Sequence, residues 1–455
     1  MSKSGPGTDG LRRRARRMIR AATLAASLAA GPALAEDVIF ANVRIFDGMS
    51  DSLSAPSNVR VSGNLIAEVS QDGIEAPEGA QVIDGEGGTL MPGLIDAHTH
   101  LIMGAIPMGV LMTGEQNYIQ MRAAHAAEAF LMRGFTTARD LAGPVFGLKQ
   151  AIDEGYALGP RIYPSGAMVS QTSGHGDYRM ISELPREGGA AHYTERYGFA
   201  ALADGESEVL RRVRENLMRG ASQIKLAAGG GVSSHHDPLD VSQFTEAEMR
   251  AAVEAAAAWN TYVTVHAYTP AAIQQAIRAG VRCIDHGQLA DEETVKMMAE
   301  AGVWWSMQPF LDDEHAVPFP EGSPQRAKQI EMSNGTDTAY ALAKKYGVKL
   351  AWGTDTLFHP ALAARQGEQL TKMVRWFTPA EVLKMATHDN ARLLALSGPR
   401  NPYPGKLGVV EEGALADLLL VRGDVLAEIE LLEDPEANLL VIMKDGRIHK
   451  DLASE

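Results

Sequence analysis

Cysteine is almost missing: Cys283 is the only one in 455 residues. No intrachain disulfide can form, which excludes a disulfide-stapled scaffold. Beside Ile284, Cys283 reads as a small buried hydrophobe rather than a nucleophile. Positive charge is also short. Lys and Arg number 42 against 57 Asp and Glu, a formal charge of -15, and this excludes a nucleic-acid backbone as partner. The apolar stretch Met18 to Ala30 is too short to cross a bilayer, so no membrane span is expected. Gly229-Gly230-Gly231 is not followed by Lys-Ser/Thr, so it is not a phosphate loop. No sequence repeat of 20–50 residues is visible.

What is present begins with a basic leader. Arg12, Arg13, Arg14, Arg16, Arg17 and Arg20 precede the Ala-rich apolar stretch, and Ala33-Leu34-Ala35 offers a small-residue cleavage site before Glu36. Residues 1–35 therefore read as a signal peptide, with export to the periplasm or medium after cleavage near Ala35. Arg16-Arg17-Met18-Ile19 loosely matches a twin-arginine signal. The leader takes seven of the 42 basic and one of the 57 acidic residues, leaving 35 against 56 in the mature chain.

Two β-rich segments frame the rest. Residues 36–90 hold short strand candidates at Val38-Ile39-Phe40, Val43 to Phe46, Asn58 to Val61 and Leu65 to Val69, separated by Gly, Asn and Asp. Residues 401–455 hold Ala416 to Val421 and Leu439 to Met443. Together they predict one small β-sandwich made from both chain ends. Between them, over 91–400, apolar strand-like runs alternate with helical stretches. The runs are Leu90 to His98, Thr136 to Asp140, Arg161 to Ser165, Ile224-Lys225-Leu226, Tyr262 to His266, Val281 to His286, Val303 to Gln308 and Val348 to Asp355. Eight such units predict an α/β fold, a (β/α)8 TIM barrel; a doubly wound open sheet is the alternative. Two long connections, Pro160 to Glu206 and Phe310 to Gln325, follow strand ends, where barrel active sites sit.

The chemistry gathers at those ends. His98-Thr99-His100 closes the first run, and residues i and i+2 of a strand share a face, so both imidazoles can reach one metal. His266 and His286 end two further runs. Asp355 ends another, where it can bind metal and accept a proton from water; its plainer reading is a helix N-cap. Lys225 sits inside an apolar strand, where an ammonium is costly unless paired. It is either the partner of a nearby acid or a neutral amine that reacts with carbon dioxide to give an anionic, two-oxygen carbamate able to bridge two cations. His235-His236 follow the glycine run and either line a pocket or belong to a flexible loop, and His359 lies just past Asp355. His125, His192, His315, His388 and His449 have no spacing argument and read as structural or surface residues.

This set resembles the amidohydrolase superfamily, binuclear metal-dependent type. Pro92-Gly93-Leu94-Ile95-Asp96-Ala97-His98-Thr99-His100 is similar to its first-strand motif. Lys225 matches its strand-four carboxylated lysine, His266 and His286 its strand-five and strand-six ligands, and Asp355 its strand-eight base. The run from Thr378 through Asn390 to Ala395, and Gly405 to Leu418, resemble its closing helices and return to the small sheet. The resemblance spans about residues 40–450. It implies two divalent metal ions, zinc by donor type, with His98, His100 and Asp355 on one, His266 and His286 on the other, and N6-carboxylated Lys225 and a hydroxide bridging them. A homo-oligomer is the family expectation.

Ser173-Gly174-His175-Gly176-Asp177 and Val265-His266-Ala267-Tyr268 resemble a narrower branch, the Xaa-Pro and Xaa-Arg dipeptidases and ochratoxin-hydrolysing amidohydrolases. That likeness implies carboxypeptidase- or dipeptidase-like release of a C-terminal amino acid from a small amide or dipeptide, ochratoxin A included, with His175 and Tyr268 as substrate contacts. Tyr268, two residues beyond His266, shares its strand face. The plainer readings are a loop-surface His175 and a rim-packed Tyr268. Hydrolysis of a cyclic amide or lactone on the same ligands is the alternative chemistry, and a metal-free scaffold the non-enzymatic one.

Overall fold

A computed structural model describes residues 1, 37–185 and 191–454; the expected signal peptide lies outside the described residues apart from Met1. Among them no helix is long and apolar enough to cross a membrane. The N-terminal side opens with Val38–Ile45 (β1), Ser57–Ser62 (β2), Leu65–Ser70 (β3), Gln81–Asp84 (β4) and Thr89–Pro92 (β5). Parallel strands follow: Leu94–Thr99 (β6), Phe135–Asp140 (β7), Arg161–Pro164 (β8), Met168–Ser170 (β9), Ala200–Leu202 (β10), Ile224–Ala227 (β11), Val263–Ala267 (β12), Cys283–His286 (β13), Trp304–Met307 (β14) and Lys349–Trp352 (β15). The chain closes with Leu418–Val421 (β16), Leu439–Lys444 (β17) and Arg447–Asp451 (β18).

Both chain ends build one eight-stranded mixed sheet, ordered β18-β17-β16-β5-β1-β2-β3 with β4 on β1. Its apolar residues, Val38, Phe40, Val59, Ile66, Leu418 and Leu420 among them, form their own buried cluster. The expected first barrel strand, Leu90 to His98, is in fact two strands. Thr89–Pro92 pairs antiparallel with β16, whereas Leu94–Thr99 pairs parallel with β7, and the chain changes sheet at Gly93.

The remaining strands form two parallel sheets, β6-β7-β8 and β10-β9-β11-β12-β13-β14-β15. From β6 through β14 every residue of these strands is buried, as expected for parallel strands covered on both faces. Hydrogen bonds join the sheets at two seams. The amide of Ser222 donates to the Pro164 carbonyl at 2.8 Å between β8 and β11. The amide of Asp355 donates to the His98 carbonyl at 2.7 Å between β15 and β6. At the second seam Asn390 donates to the carbonyls of Ile95 (2.7 Å) and Trp352 (2.8 Å). Gly353 permits that approach: a Cβ there would sit 2.4 Å from the His98 nitrogen.

Helices between the strands begin where side chains satisfy their first amides. Thr245 and Glu248 form a capping box on Glu246–Ala258, Asp291 caps Glu292–Ala301, and Ser323 caps Pro324–Tyr346. The connection expected over Pro160 to Glu206 is not a bare loop, since β9 and β10 lie within it and extend the larger sheet from β11. Arg161 ties the parallel strands to the outer sheet, with Nε and Nη2 donating to Asp417 at 2.8 and 3.0 Å.

Candidate active site

One cavity of about 460 Å³ opens at the C-terminal ends of the parallel strands. Its lining includes all eight residues singled out in the sequence: His98, His100, His175, Lys225, His266, Tyr268, His286 and Asp355. The rings form a continuous cluster, with centroid separations of 4.9 Å for His98–His286, 4.5 Å for His266–His286 and 5.0 Å for His266–Tyr268. One donor atom each from His98, His286 and Asp355 lies within 4.8 Å of the others, a group able to hold a metal ion.

Asp355 is the hub. Its Oδ1 is 2.9 Å from His100 Nε2 and 3.2 Å from His98 Nε2, and its Oδ2 is 3.8 Å from His286 Nδ1. Burial raises its pKa, but His98, His100 and His286 outweigh burial and hold it well below the carboxylate range. It is not a helix cap; His359 caps Pro360–Ala364 instead. Two site residues break strand geometry, His286 with φ 75° and Asp355 with φ 48°. Such left-handed backbone is rare for side-chain-bearing residues and concentrates at functional sites.

The imidazoles are held neutral and oriented. Burial lowers His98 to about 4 and His286 to about 3, and takes His266 well below its ordinary value. His266 Nε2 lies 3.0 Å from the Gly230 carbonyl, and His286 Nδ1 lies 2.7 Å from Gln308 Oε1. A carbonyl acceptor requires the proton on the bonded nitrogen, which leaves His266 Nδ1 and His286 Nε2 as lone-pair donors. These donor sets fit divalent cations.

Lys225 is paired with an acid, the plainer of its two sequence readings. Its amine lies 2.5 Å from Asp285 Oδ2. Asp285 has other partners: Arg139 Nη2 at 2.8 Å, Thr264 Oγ1 at 2.7 Å and His98 Nδ1 at 3.5 Å. Burial lowers the lysine pKa while Asp285 opposes the shift. Arg139 alone can balance Asp285, so the carboxylate does not depend on a charged lysine.

His175 packs flat on His266, with centroids 4.1 Å apart. Its Nδ1 is 2.9 Å from Ser234 Oγ and 3.5 Å from Asp237 Oδ2. Gly231 makes room for it, since a Cβ there would lie 1.9 Å from that nitrogen. Tyr268 packs against His286 at 5.1 Å, and burial pushes its phenol well above the ordinary range. Much of the remaining lining is apolar, with Met103, Met168, Phe310, Phe319 and Met332 among it, beside polar groups such as Gln329, Gln369 and Lys372.

The amidohydrolase family model matches residues 89–449. The chain belongs to the amidohydrolase family. It is a hydrolytic enzyme acting on amide bonds, and the family is generally metal-dependent. Ochratoxinase of Aspergillus niger is 33% identical over 371 residues, covering 79% of this chain and 75% of the relative. Among solved structures, a prolidase complexed with N-methylphosphonate-L-proline is 34% identical at a TM-score of 0.82, covering 91% of this chain and 100% of that one. A Xaa-Pro dipeptidase with bound methionine is 28% identical at a TM-score of 0.78, covering 91% and 100%.

The enzyme's site also holds residues that the sequence reading passed over. Asp285 and Arg139 surround Lys225, and Gln308 spans His286 and His98, its Nε2 lying 3.3 Å from His98 Nδ1. His315, read as structural or surface, lines the cavity and lies 2.9 Å from Glu368. His235 lines it as well, whereas His236 and His359 do not. His192 caps the helix Tyr193–Arg196 and His388 pairs with Asp389. Cys283 is buried, as expected. The one available signal for Asp285 was an acid beside a ligand-like histidine in an apolar strand.

Proposed function

We propose that this amidohydrolase releases a C-terminal amino acid from dipeptides or N-acyl amino acids, ochratoxin A among its candidate substrates. The observation that carries this reading is the convergence on one apolar cavity of six metal-ligand-type side chains with His175 and Tyr268 beside them. The relatives named ochratoxinase, prolidase and Xaa-Pro dipeptidase support the same substrate class. The strand order and its two hydrogen-bonded seams support a closed (β/α)8 barrel, with the two chain ends forming a β-sandwich beside it. We also propose export after removal of residues 1–35, and a homo-oligomeric enzyme.

His98, His100 and Asp355 would hold one divalent ion and His266 and His286 a second, with carboxylated Lys225 between them. Zinc suits imidazole and carboxylate donors; when bound, such ions lower the pKa of water and polarise a scissile carbonyl. Asp355, ionised and in contact with His98 and His100, takes a proton from the attacking water and delivers it to the leaving nitrogen. Tyr268, kept protonated by burial, donates to the oxygen that gains charge. His175, fixed by Ser234, Asp237 and the His266 ring, donates to the substrate carboxylate. The apolar wall excludes water and favours a bulky hydrophobic side chain.

The test is amino-acid release from a panel of dipeptides, N-acyl amino acids and lactones by the metal-loaded enzyme, with Lys225→Ala beside it. Release from the first two classes, and loss of metal and turnover in the variant, are expected. Preference for lactones would refute the substrate reading. Full metal content and near-normal turnover in Lys225→Ala would refute the ligand assignment.

A further inference from the structure

Charge is distributed unevenly around the active-site cavity. Among the described residues that line it, Asp355 is the only carboxylate, although acids outnumber bases along the chain. Asp355 is already engaged by His98, His100 and His286. Asp237 and Asp285 touch His175 and Lys225, but their side chains are fully buried and stay outside the lining.

The wall built by the segments after β14 and β15 is faced with donors instead. Lys372 lines it with its side chain 12% exposed, and its Nζ lies 2.7 Å from Asp313 Oδ2. His315 lines it too, with Nε2 2.9 Å from Glu368 and Nδ1 3.7 Å from Asp313. Neither Asp313 nor Glu368 belongs to the lining, so the acids hold these groups from behind. An ammonium carries three N–H donors, and Asp313 is the only hydrogen-bond acceptor of Lys372 among the described residues. Gln369, one helical turn before Lys372, donates to Thr356 Oγ1 at 3.2 Å, which ties this wall to the residue after Asp355.

His175 and Tyr268 follow β9 and β12, whereas Lys372 follows β15, at the far end of the same sheet. With the substrate carboxylate at His175 and the scissile carbonyl at Asp355, the acyl group is directed towards the donor-faced wall. In a dipeptide the free ammonium is two bonds from the scissile carbonyl carbon. It would stand among cation-binding side chains with no available carboxylate, and an unpaired charge is a means of rejecting a substrate. On the amide-hydrolase reading, on which this rests, we propose that the enzyme selects N-acyl amino acids over dipeptides with a free amine, and that Lys372 receives an acidic end of the acyl group.

Release of phenylalanine by the metal-loaded enzyme tests both parts. The probes are N-pentanoyl-, N-hexanoyl-, N-glutaryl- and N-adipoyl-phenylalanine, with norvalyl-phenylalanine as the pentanoyl substrate bearing an α-ammonium. The norvalyl substrate is expected to have a kcat/KM roughly ten-fold below its pentanoyl counterpart. The better diacid is expected roughly ten-fold above its neutral counterpart, the worth of a hydrogen bond to a charged group. Lys372→Met should erase the diacid advantage, chiefly through KM, and Lys372→Arg should keep it; a merely structural lysine would lower all five substrates alike. If Lys372→Met does not fold, Asp313→Asn, which frees the ammonium from its counter-charge, should enlarge the advantage. Equal turnover of the norvalyl and pentanoyl substrates, no diacid advantage, or an advantage that these variants leave unchanged overturns the proposal while amide hydrolysis stands. No release from any of the five overturns both.

Discussion

Replacing Arg139 with methionine separates the two roles of Asp285. Arg139 is fully buried, as is Asp285. Its Nη2 donates to Asp285 at 2.8 Å, its Nη1 to the Tyr262 hydroxyl at 3.2 Å and its Nε to the Ala97 carbonyl. Breaking a buried ion pair costs about 3–5 kcal/mol. Lys225 stays within 2.5 Å of Asp285, so the lower end, ~3 kcal/mol, is expected. Lys225→Met leaves Asp285 with Arg139 and Thr264 and should cost only about 1–2 kcal/mol, the worth of a charged hydrogen bond. Urea unfolding of the metal-free proteins measures the difference. The metal-loaded state gives a second readout. Without Arg139, Lys225 is the sole counter-charge for Asp285 and stays an ammonium, which repels cations and cannot be carboxylated. Arg139→Met should therefore bind less metal than wild type by elemental analysis. The reasoning is refuted if Arg139→Met is the more stable of the two variants, or if it keeps the full metal complement.

Three further outcomes are expected. Burial raises Asp140 from 3.8 to about 7, so the folded state keeps a proton that the unfolded chain releases; its stabilisation is present below about pH 4 and lost as pH rises through 7. Metal-free Asp140→Asn should gain on wild type across that window by up to ~4 kcal/mol in urea unfolding, and a pH-independent difference would contradict this. Tyr268→Phe should lower kcat/KM by roughly 10–100-fold with metal content unchanged, and an unaltered kcat/KM in the release assay would remove Tyr268 from the mechanism. Arg161→Met breaks the bond between β8 and the outer sheet and should cost about 3 kcal/mol; a loss under about 1 kcal/mol in thermal unfolding would show that the two parts do not depend on it.

The positions of His98, His100, His266, His286 and Asp355 were legible because each ends an apolar run; for the four histidines that run is a fully buried parallel strand, and such strands leave such runs in a sequence. The same property hid the division at Gly93. Thr89–Pro92 and Leu94–Thr99 are both buried throughout, so nothing in their pattern says which sheet each joins. Asp285 was missed because strand alternation sends it to the face opposite His286, and the positive φ of His286 that defeats this rule leaves no trace in residue type. Arg139 finds its acid 146 positions away, a distance that spacing arguments do not reach. The sequence left Lys225 open between an acid partner and a carbamate; the pairing with Asp285 meets the first condition, and Arg139 leaves room for the second.

The position of β5 sets a constraint on biosynthesis. Thr89 pairs with Val421 and Pro92 with Leu418, so an early strand stays without one neighbour until almost the whole polypeptide has been made. Contacts this distant slow folding, and the waiting edge can template pairing between nascent chains. A chain stopped before Leu418 would present that edge permanently. The C-terminal segment therefore acts as the last stave of the outer sheet, and the yield of soluble enzyme depends on how soon it arrives.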